Sequence, residues 1–217
     1  MQKKERLINL VSGADFNAYE NFKDRLFIKF VARNSTHLQD CYYTTTLDVA
    51  ITYHIFVSDR NHTLVSLRIT DSMMEHFRID PDRLHEDAVA SMRKMYPERI
   101  CFIDEFIQGK KHEQTPTVVI TNQKCLCGAA AVLYPGALAK AAQMLHGNLY
   151  LIPSSTEEMF AVHDRNKDPE RYRFCKEKLE GINSLNRDYD PEHFLSDTIL
   201  HYDAEKKILK PAERLTA

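Results

Sequence analysis

The sequence predicts an α+β fold in which a largely antiparallel sheet, built from hairpins, is flanked by helices. Strand-like segments follow one another in pairs with short turns between them, an order typical of hairpins and not of parallel β–α–β units. Segments with helical periodicity and cap residues lie between these pairs. With 217 residues, of which 43% are hydrophobic and 28% charged, the chain can bury a core without disulfides or metal ions.

The polar run GKKHEQTP at 109–116 is the best candidate for a boundary between two consecutive subdomains. We therefore predict an N-terminal unit at 1–108, made of a helix, a hairpin and further helical segments. A C-terminal unit is predicted at 109–217, in the order hairpin, helix, two strands, helix and hairpin.

Apolar residues spaced three, four and one apart between 17 and 34 predict an amphipathic helix as the first element. Alternation over 48–57 and 63–70 then predicts a hairpin. Ser72 and Glu75 have the spacing of a capping box, which predicts that a short helix begins there.

Asp80 followed by Pro81 predicts the start of a second helix, because a capping carboxylate precedes a proline whose missing N–H costs little at the first helical position. This helix is expected to end near Tyr96, just before Pro97. The segment at 100–107 fits a strand and a helix equally.

The second half continues the alternation of strands and helices. Its predicted elements are strands at 117–122 and 128–134, a helix from Pro135 that Gly147 closes, strands at 148–152 and 158–163, a helix at 168–186, and a hairpin of 197–203 with 206–210. Asp168 and Pro169 mark the start of the long helix in the same way as Asp80 and Pro81.

The charges nearly cancel, with 29 Lys and Arg against 31 Asp and Glu and a net charge of −2. A general nucleic-acid binder is usually basic and a DNA mimic strongly acidic, so neither class is expected. The sequence has 6 glycines and no glycine motif that cradles phosphate, so no cofactor is expected. Because we find no signal peptide, membrane span or patterned cysteine set, we expect a cytoplasmic protein with reduced thiols.

The residue types of a serine hydrolase are present: Ser154, Ser155, His163, Asp164 and Asp197. No nucleophile elbow of the G-x-S-x-G kind surrounds the serines. A serine pair directly after Pro153 and between two strands is typical of a turn, which is the interpretation we adopt. Ser196 with Asp197, before the last hairpin, is interpreted as a turn as well.

Cys125 and Cys127 are two neighbouring thiols without a second pair, whereas a structural zinc site needs four ligands. His112, His146 and His163 are scattered along the chain. We therefore expect no metal site.

Two weaker patterns point to metal-dependent hydrolysis. His85 and Glu86 begin the zinc-protease pattern H-E-x-x-H, but Val89 stands where the second histidine is required. Loose fragments of a nuclease pattern occur at Asp104–Glu105 and at Glu205 with Lys207. Both are interpreted as ordinary surface residues.

Basic residues concentrate at 165–187, where the local charge is +3. They are Arg165, Lys167, Arg171, Arg173, Lys176, Lys178 and Arg187. Tyr172 and Phe174 lie between them. We interpret this segment as a solvated helix face with intrahelical pairs, and phosphate recognition is the alternative.

Several short segments, in this order, resemble an uncharacterised family of bacterial proteins that occurs in gut Firmicutes and often on mobile elements. They are FKDRL at 22–26, LDVA at 47–50, ITD at 69–71, LHEDA at 84–88, VITN at 119–122, GAAAVL at 128–133, LIPSSTEE at 151–158, FLSD at 194–197 and YD at 202–203. The resemblance extends from about Phe22 to Ile208 and covers the C-terminal two thirds of the family's length. It implies no activity, because none is assigned to the family.

No residue is assigned a catalytic, cofactor-binding or metal-ligating role on these observations. We expect a non-catalytic cytoplasmic protein that binds another protein, as an accessory factor of a phage or mobile element, for example an inhibitor of a host defence complex. A hydrolase or nuclease with an unrecognised site and a nucleic-acid-binding protein are the alternatives. Nucleic acid and membrane are not expected as partners.

Overall fold

The structure, a computed structural model, describes residues 18–60, 63–108 and 117–212. Within these ranges the strands are β1 Leu26–Ala32, β2 Tyr43–Thr46, β3 Val49–Arg60, β4 Thr63–Arg68, β5 Glu98–Phe102, β6 Thr117–Asn122, β7 Leu149–Ile152, β8 Met159–His163, β9 Leu200–Asp203 and β10 Ile208–Pro211. The α-helices are α1 Asp71–Phe77, α2 Pro81–Met95, α3 Ile103–Gln108, α4 Ala137–Leu145 and α5 Pro169–Tyr189.

The strands form two antiparallel sheets. In the first, β3 is central, with β1 on one side and both β2 and β4 on the other. The second has the order β10-β9-β7-β8-β6-β5. The predicted α+β class with an antiparallel sheet is therefore confirmed, as are the β3–β4 and β9–β10 hairpins.

The predicted boundary at 108/109 falls between two strands that pair with each other. β5 pairs with β6 in antiparallel register, from Glu98 opposite Asn122 to Phe102 opposite Val118. One hydrophobic cluster also contains residues of both sheets, such as Phe30 and Leu151. The division into two subdomains stays a prediction, and the second sheet takes its edge strand from before residue 108.

The helix predicted over 17–34 is wrong. Residues Tyr19–Asn21 and Lys23–Arg25 form two short 3₁₀ turns, and β1 follows directly. Every β1 residue except Lys29 is buried, so apolar side chains are needed on both faces of the strand. A segment buried on both sides does not alternate, and periodicity alone does not distinguish it from a buried helix.

The strand predicted at 128–134 is also wrong, because Gly128–Leu133 forms a 3₁₀ helix. This 3₁₀ helix packs against β6 and β1. Its alanines, Ala129, Ala130 and Ala131, have no exposed surface. Small residues let the turn approach both strands closely, and alanine has little intrinsic preference for a strand.

The helix caps are partly as predicted. Asp80 caps α2 by accepting a hydrogen bond from the Arg83 N–H at 3.0 Å, and Asp168 caps α5 in the same way. The cap of α1, however, is Thr70 and not Ser72. Helix α4 ends at His146 in the left-handed conformation, one residue before the predicted Gly147. The ambiguous segment at 100–107 divides into the end of β5 and most of α3.

The two faces of the first sheet have different partners. The Tyr53 hydroxyl lies 3.0 Å from His85 Nδ1, which places α2 on the face that bears Tyr53. Because side chains alternate along a strand, Thr52 and His54 point to the opposite face. That face looks towards the turn at 124–128 and Glu157 of the second sheet's connections, and a cleft lies between them.

None of the helices in the described ranges has the length and apolar composition needed to cross a lipid bilayer.

Candidate functional site

A cleft of about 460 Å³ opens between the first sheet and the connections of the second. Its floor is one face of β1, β3 and β4, where Lys29 lies opposite Thr52 and Arg68 lies opposite His54, two residues further along β3. Cys127 and Glu157 form the opposite wall. Ligand sites are commonly concave and of this size, and they often lie where two structural units meet.

A chain of hydrogen bonds crosses the floor. The Thr52 hydroxyl donates its only proton to the Lys29 carbonyl oxygen at 3.2 Å. The 2.9 Å contact between Thr52 Oγ1 and His54 Nε2 therefore requires an N–H on Nε2. This leaves Nδ1 of His54 as an acceptor, and the Ser66 hydroxyl donates to it at 3.2 Å.

Two cations face the cleft. Within the described ranges Lys29 has no carboxylate oxygen within 4.0 Å of its ammonium, and Arg68 contacts only the carbonyl oxygen and Nδ1 of His37, at 3.4 and 3.2 Å. Arg68 is exposed and Lys29 half-buried. Both carry positive charge that no acidic side chain of the described residues neutralises by direct contact.

The carboxylate of Glu157 on the opposite wall already has donors. Its Oε2 accepts from the Cys127 N–H at 2.7 Å and its Oε1 from the Thr156 hydroxyl at 3.1 Å. Burial nevertheless raises the pKa of Glu157, against these hydrogen bonds and the nearby charges of His193 and Lys29. Burial also raises the pKa of the Cys127 thiol to about 12, so this cysteine stays protonated.

The contact between Ser66 and His54 places a hydroxyl beside an imidazole, as in a nucleophile and its base. Burial, followed by the charges of Lys29, Arg68 and His37, lowers the pKa of His54 to about 3. A general base works best when its pKa lies near the operating pH. The imidazole is therefore a poor proton acceptor, and the pair is suited to hydrogen bonding rather than to catalysis.

Ser154 and Ser155, the residues considered as nucleophiles from the sequence, lie elsewhere, in the turn between β7 and β8. The Ser154 hydroxyl lies 2.9 Å from the Glu158 carbonyl oxygen and 2.8 Å from its carboxylate, and Ser155 donates to the same carboxylate at 2.9 Å. His163 is paired with Leu149 at the other end of the two strands. The paired strands are roughly 10 Å long at 3.3 Å per residue, and the serines lie beyond their near end. The contacts are those of a turn.

We expect Ser154→Ala and Ser155→Ala each to lower the free energy of unfolding by about 1 kcal/mol or less, because each removes one net hydrogen bond. Urea unfolding measures this, with Ser184→Ala on the exposed face of α5 as the control. A fluorophosphonate probe is expected to label neither serine. Stoichiometric labelling that His163→Ala abolishes would contradict the turn interpretation.

Ser196 and Asp197 connect three parts of the chain. The Ser196 and Thr198 hydroxyls donate to the Asp48 carboxylate at 2.9 and 2.7 Å, which ties the last hairpin to the β2–β3 turn. Asp197 accepts two hydrogen bonds from Arg187, at 2.8 and 2.6 Å. The Thr198 N–H donates to Ser196 Oγ at 2.9 Å, the turn predicted here.

The metal patterns do not converge. In 18–60, 63–108 and 117–212, no three His, Cys, Asp or Glu side chains are placed to hold a metal ion. All five cysteines lie in these ranges and none is in a disulfide. His112 lies outside the described residues. Asp104–Glu105 and Glu205 lie next to β5 and β10, at opposite edges of the second sheet.

The basic segment uses several of its charges internally. Arg171 and Lys178 lie over the Phe174 ring, 5.1 and 5.4 Å from its centroid. The Lys176 ammonium donates to the Asp197 carbonyl oxygen at 2.7 Å. With Arg187 bound to Asp197 as well, the segment presents less free positive charge than its composition suggests.

Of the cleft residues, the sequence singled out Cys127 alone, as half of a thiol pair considered for metal binding. Lys29 was assigned to the polar face of a helix, and Arg68 and Ser66 to a hairpin strand. One signal was available. Thr52 and His54 are polar residues in the middle of a strand that is buried on both faces. Buried polar side chains are the informative exceptions in a core.

The comparisons with known proteins identify a family but no activity. A search of the curated proteins and a search of the solved structures gave no match. The sequence model of DUF5688, described as a family of unknown function, matches residues 1–204. This match includes the residues before Phe22 that the sequence resemblance left out. With most of its length matched, the chain belongs to DUF5688.

Proposed function

We propose that the chain is a binding protein without chemistry of its own, and that its cleft takes a carboxylate side chain of a partner protein. The observation that carries this proposal is the pair of cations, Lys29 and Arg68, that face the cleft without a carboxylate partner in the described residues. Hydrogen bonds between oppositely charged groups are shorter and roughly twice as strong as neutral ones. A bound carboxylate would give both cations an oppositely charged partner.

A carboxylate suits the cleft better than a phosphate. The oxygens of the Glu157 carboxyl group lie on the opposite wall, so a ligand group with two oxygens and one negative charge meets less repulsion than a phosphate group with more oxygens and nearly two charges. Apolar side chains complete the lining: Phe27, Val31, Leu64 and Leu126. They favour an organic chain over a free inorganic ion.

The low pKa of His54 supports a binding function over hydrolysis. Lys176 and Arg187 of α5 already contact Asp197, which supports a protein over a nucleic acid as partner. The proposal keeps the expectation of a cytoplasmic accessory protein. Its association with a phage or mobile element rests on the sequence resemblance alone.

We expect a capped hexaglutamate peptide to bind at about 50 mM salt and to bind about tenfold more weakly to Lys29→Gln and to Arg68→Gln. Each substitution keeps a polar side chain but removes a charge-assisted hydrogen bond of about 1.5 kcal/mol or more. Isothermal titration calorimetry of the purified chain measures the three dissociation constants.

The matched control is Lys94→Gln. Lys94 is exposed on α2, which covers the other face of the first sheet, so its loss is expected to leave the affinity unchanged. Equal weakening by Lys94→Gln would show that the peptide responds to net charge and not to the cleft. Tighter binding of single-stranded DNA than of the peptide at about 150 mM salt would favour the nucleic-acid alternative instead.

A further inference from the structure

A second cavity, of about 260 Å³, adjoins the cleft at the end of β1. Val31 and His37 line both spaces, so the cleft and the second cavity lie next to each other along β1, and together they are called the channel. The far wall of the second cavity comes from the residues that follow α5, which include Pro191 and Phe194.

The two ends of this channel differ in chemistry. The cleft carries Lys29 and Arg68, whereas the second cavity is lined by the apolar residues Val31, Ala32, Pro191 and Phe194 and by the uncharged polar residues Asn34, Ser35 and Thr36. Among the described residues, the shared His37 is the one basic side chain that lines the second cavity. A second acidic group is disfavoured there, because the exposed carboxylate of Glu192 lies on its rim, 3.6 Å from His37 Nε2.

The distance between the two ends matches a short length of extended chain. Lys29 and Val31, which lines both spaces, are two residues apart on one face of β1, which is roughly 7 Å at 3.3 Å per residue. An extended peptide lying along this strand spans the same distance with two residues. Successive side chains of such a peptide point to opposite sides, so only some of them face the floor of the channel.

From this adjacency and this contrast in chemistry we infer that the channel takes an extended acidic segment of a partner protein. The carboxylate lies at Lys29 and Arg68, and an apolar side chain two residues away fills the second cavity. This inference rests on the proposed function and adds an apolar requirement to it.

The test compares three capped peptides of equal charge by NMR titration of the full chain. Ser-Leu-Ser-Glu and Glu-Ser-Leu-Ser place the leucine two residues to either side of the acid, so that both side chains lie on one face of the extended peptide, and Ser-Ser-Ser-Glu lacks it. We expect one leucine peptide to bind about tenfold more tightly than the leucine-free peptide, the effect of burying most of one leucine side chain.

Two variants locate the effect. Phe194→Ala removes part of the wall of the second cavity, and Thr36→Trp fills this cavity from an exposed position. If one of the two variants fails to fold, the other still tests the inference. Both are expected to abolish the leucine advantage while leaving the affinity for Ser-Ser-Ser-Glu unchanged. Lys29→Gln is expected to weaken all three peptides.

The outcomes separate the two proposals. Equal affinities of the wild-type chain for all three peptides, with Lys29 still required, would overturn the apolar requirement and leave the proposed function standing. A leucine advantage that persists in both variants would also overturn it. Binding that does not depend on Lys29 at all would overturn the proposed function itself.

Discussion

Gly128→Ala is expected to lower the free energy of unfolding by about 3 kcal/mol or more. A Cβ at this position would lie 2.1 Å from Thr121 Oγ1 and 2.3 Å from the Glu157 carbonyl oxygen. The second of these atoms belongs to the backbone and has no free rotation to move away. Overpacking of a buried site usually costs about 1–3 kcal/mol and more where the backbone must shift.

The matched control is Gly181→Ala, in the middle of α5. No atom lies within 4 Å of a Cβ built there, and the residue is exposed. Alanine in a helix interior is more stable than glycine by about 0.5–1 kcal/mol, so this variant is expected to gain stability. Urea unfolding of both variants gives the comparison. A Gly128→Ala protein as stable as the wild type would show that the 128–133 turn does not pack as described.

Because of His54, the free energy of unfolding is expected to fall steeply as the pH is lowered below 6.5. Burial and the nearby charges of Lys29, Arg68 and His37 lower its pKa to about 3. Between these two pH values the unfolded chain binds the proton and the folded chain does not. Stability therefore rises with pH through this window, by up to about 1.4 kcal/mol per unit from this group.

Replacing the imidazole removes this dependence. We expect the destabilisation caused by His54→Gln at pH 7 to shrink by about 2.5 kcal/mol at pH 4.5, because only the wild-type chain loses the contribution. Urea unfolding at the two pH values measures the change. His76→Gln, at an exposed site, is the control and keeps the pH dependence of the wild type. A His54→Gln penalty that is equal at both pH values would contradict the buried, neutral state of this ring.

The segments with one apolar and one more polar face were predictable from the sequence. β3 has apolar residues on the face towards α2 and carries Thr52 and His54 on the other, and α2 has its apolar stripe at Leu84, Ala88 and Met92 together with the Asp80 cap. Both signals come from a difference in polarity between the two faces of one element. They need no knowledge of the rest of the chain.

The segments that were missed lie between two packed layers. β1 carries apolar side chains on both faces, so its spacing fitted a helix as well. The 3₁₀ helix Gly128–Leu133 follows from a close approach to β6 that no local pattern specifies. Long-range packing decided both, and it overrides local preference.

The candidate site was missed for the same reason. Its cations come from β1 and β4, and its opposite wall comes from residues 127 and 157, which lie far from both strands along the chain. Only the register of β1 and β4 on β3 brings Lys29 and Arg68 together. A sequence pattern does not report residues that meet across a sheet and between two sheets.

The most direct test of a carboxylate site in the cleft is to follow the histidine ring resonances by NMR while the capped hexaglutamate peptide is added. His54 lines the cleft, whereas His76 and His146 are exposed outside it. We predict that the His54 resonances move and saturate with the peptide while those of His76 and His146 stay in place. Saturable peptide binding that leaves the His54 resonances unmoved would contradict the site.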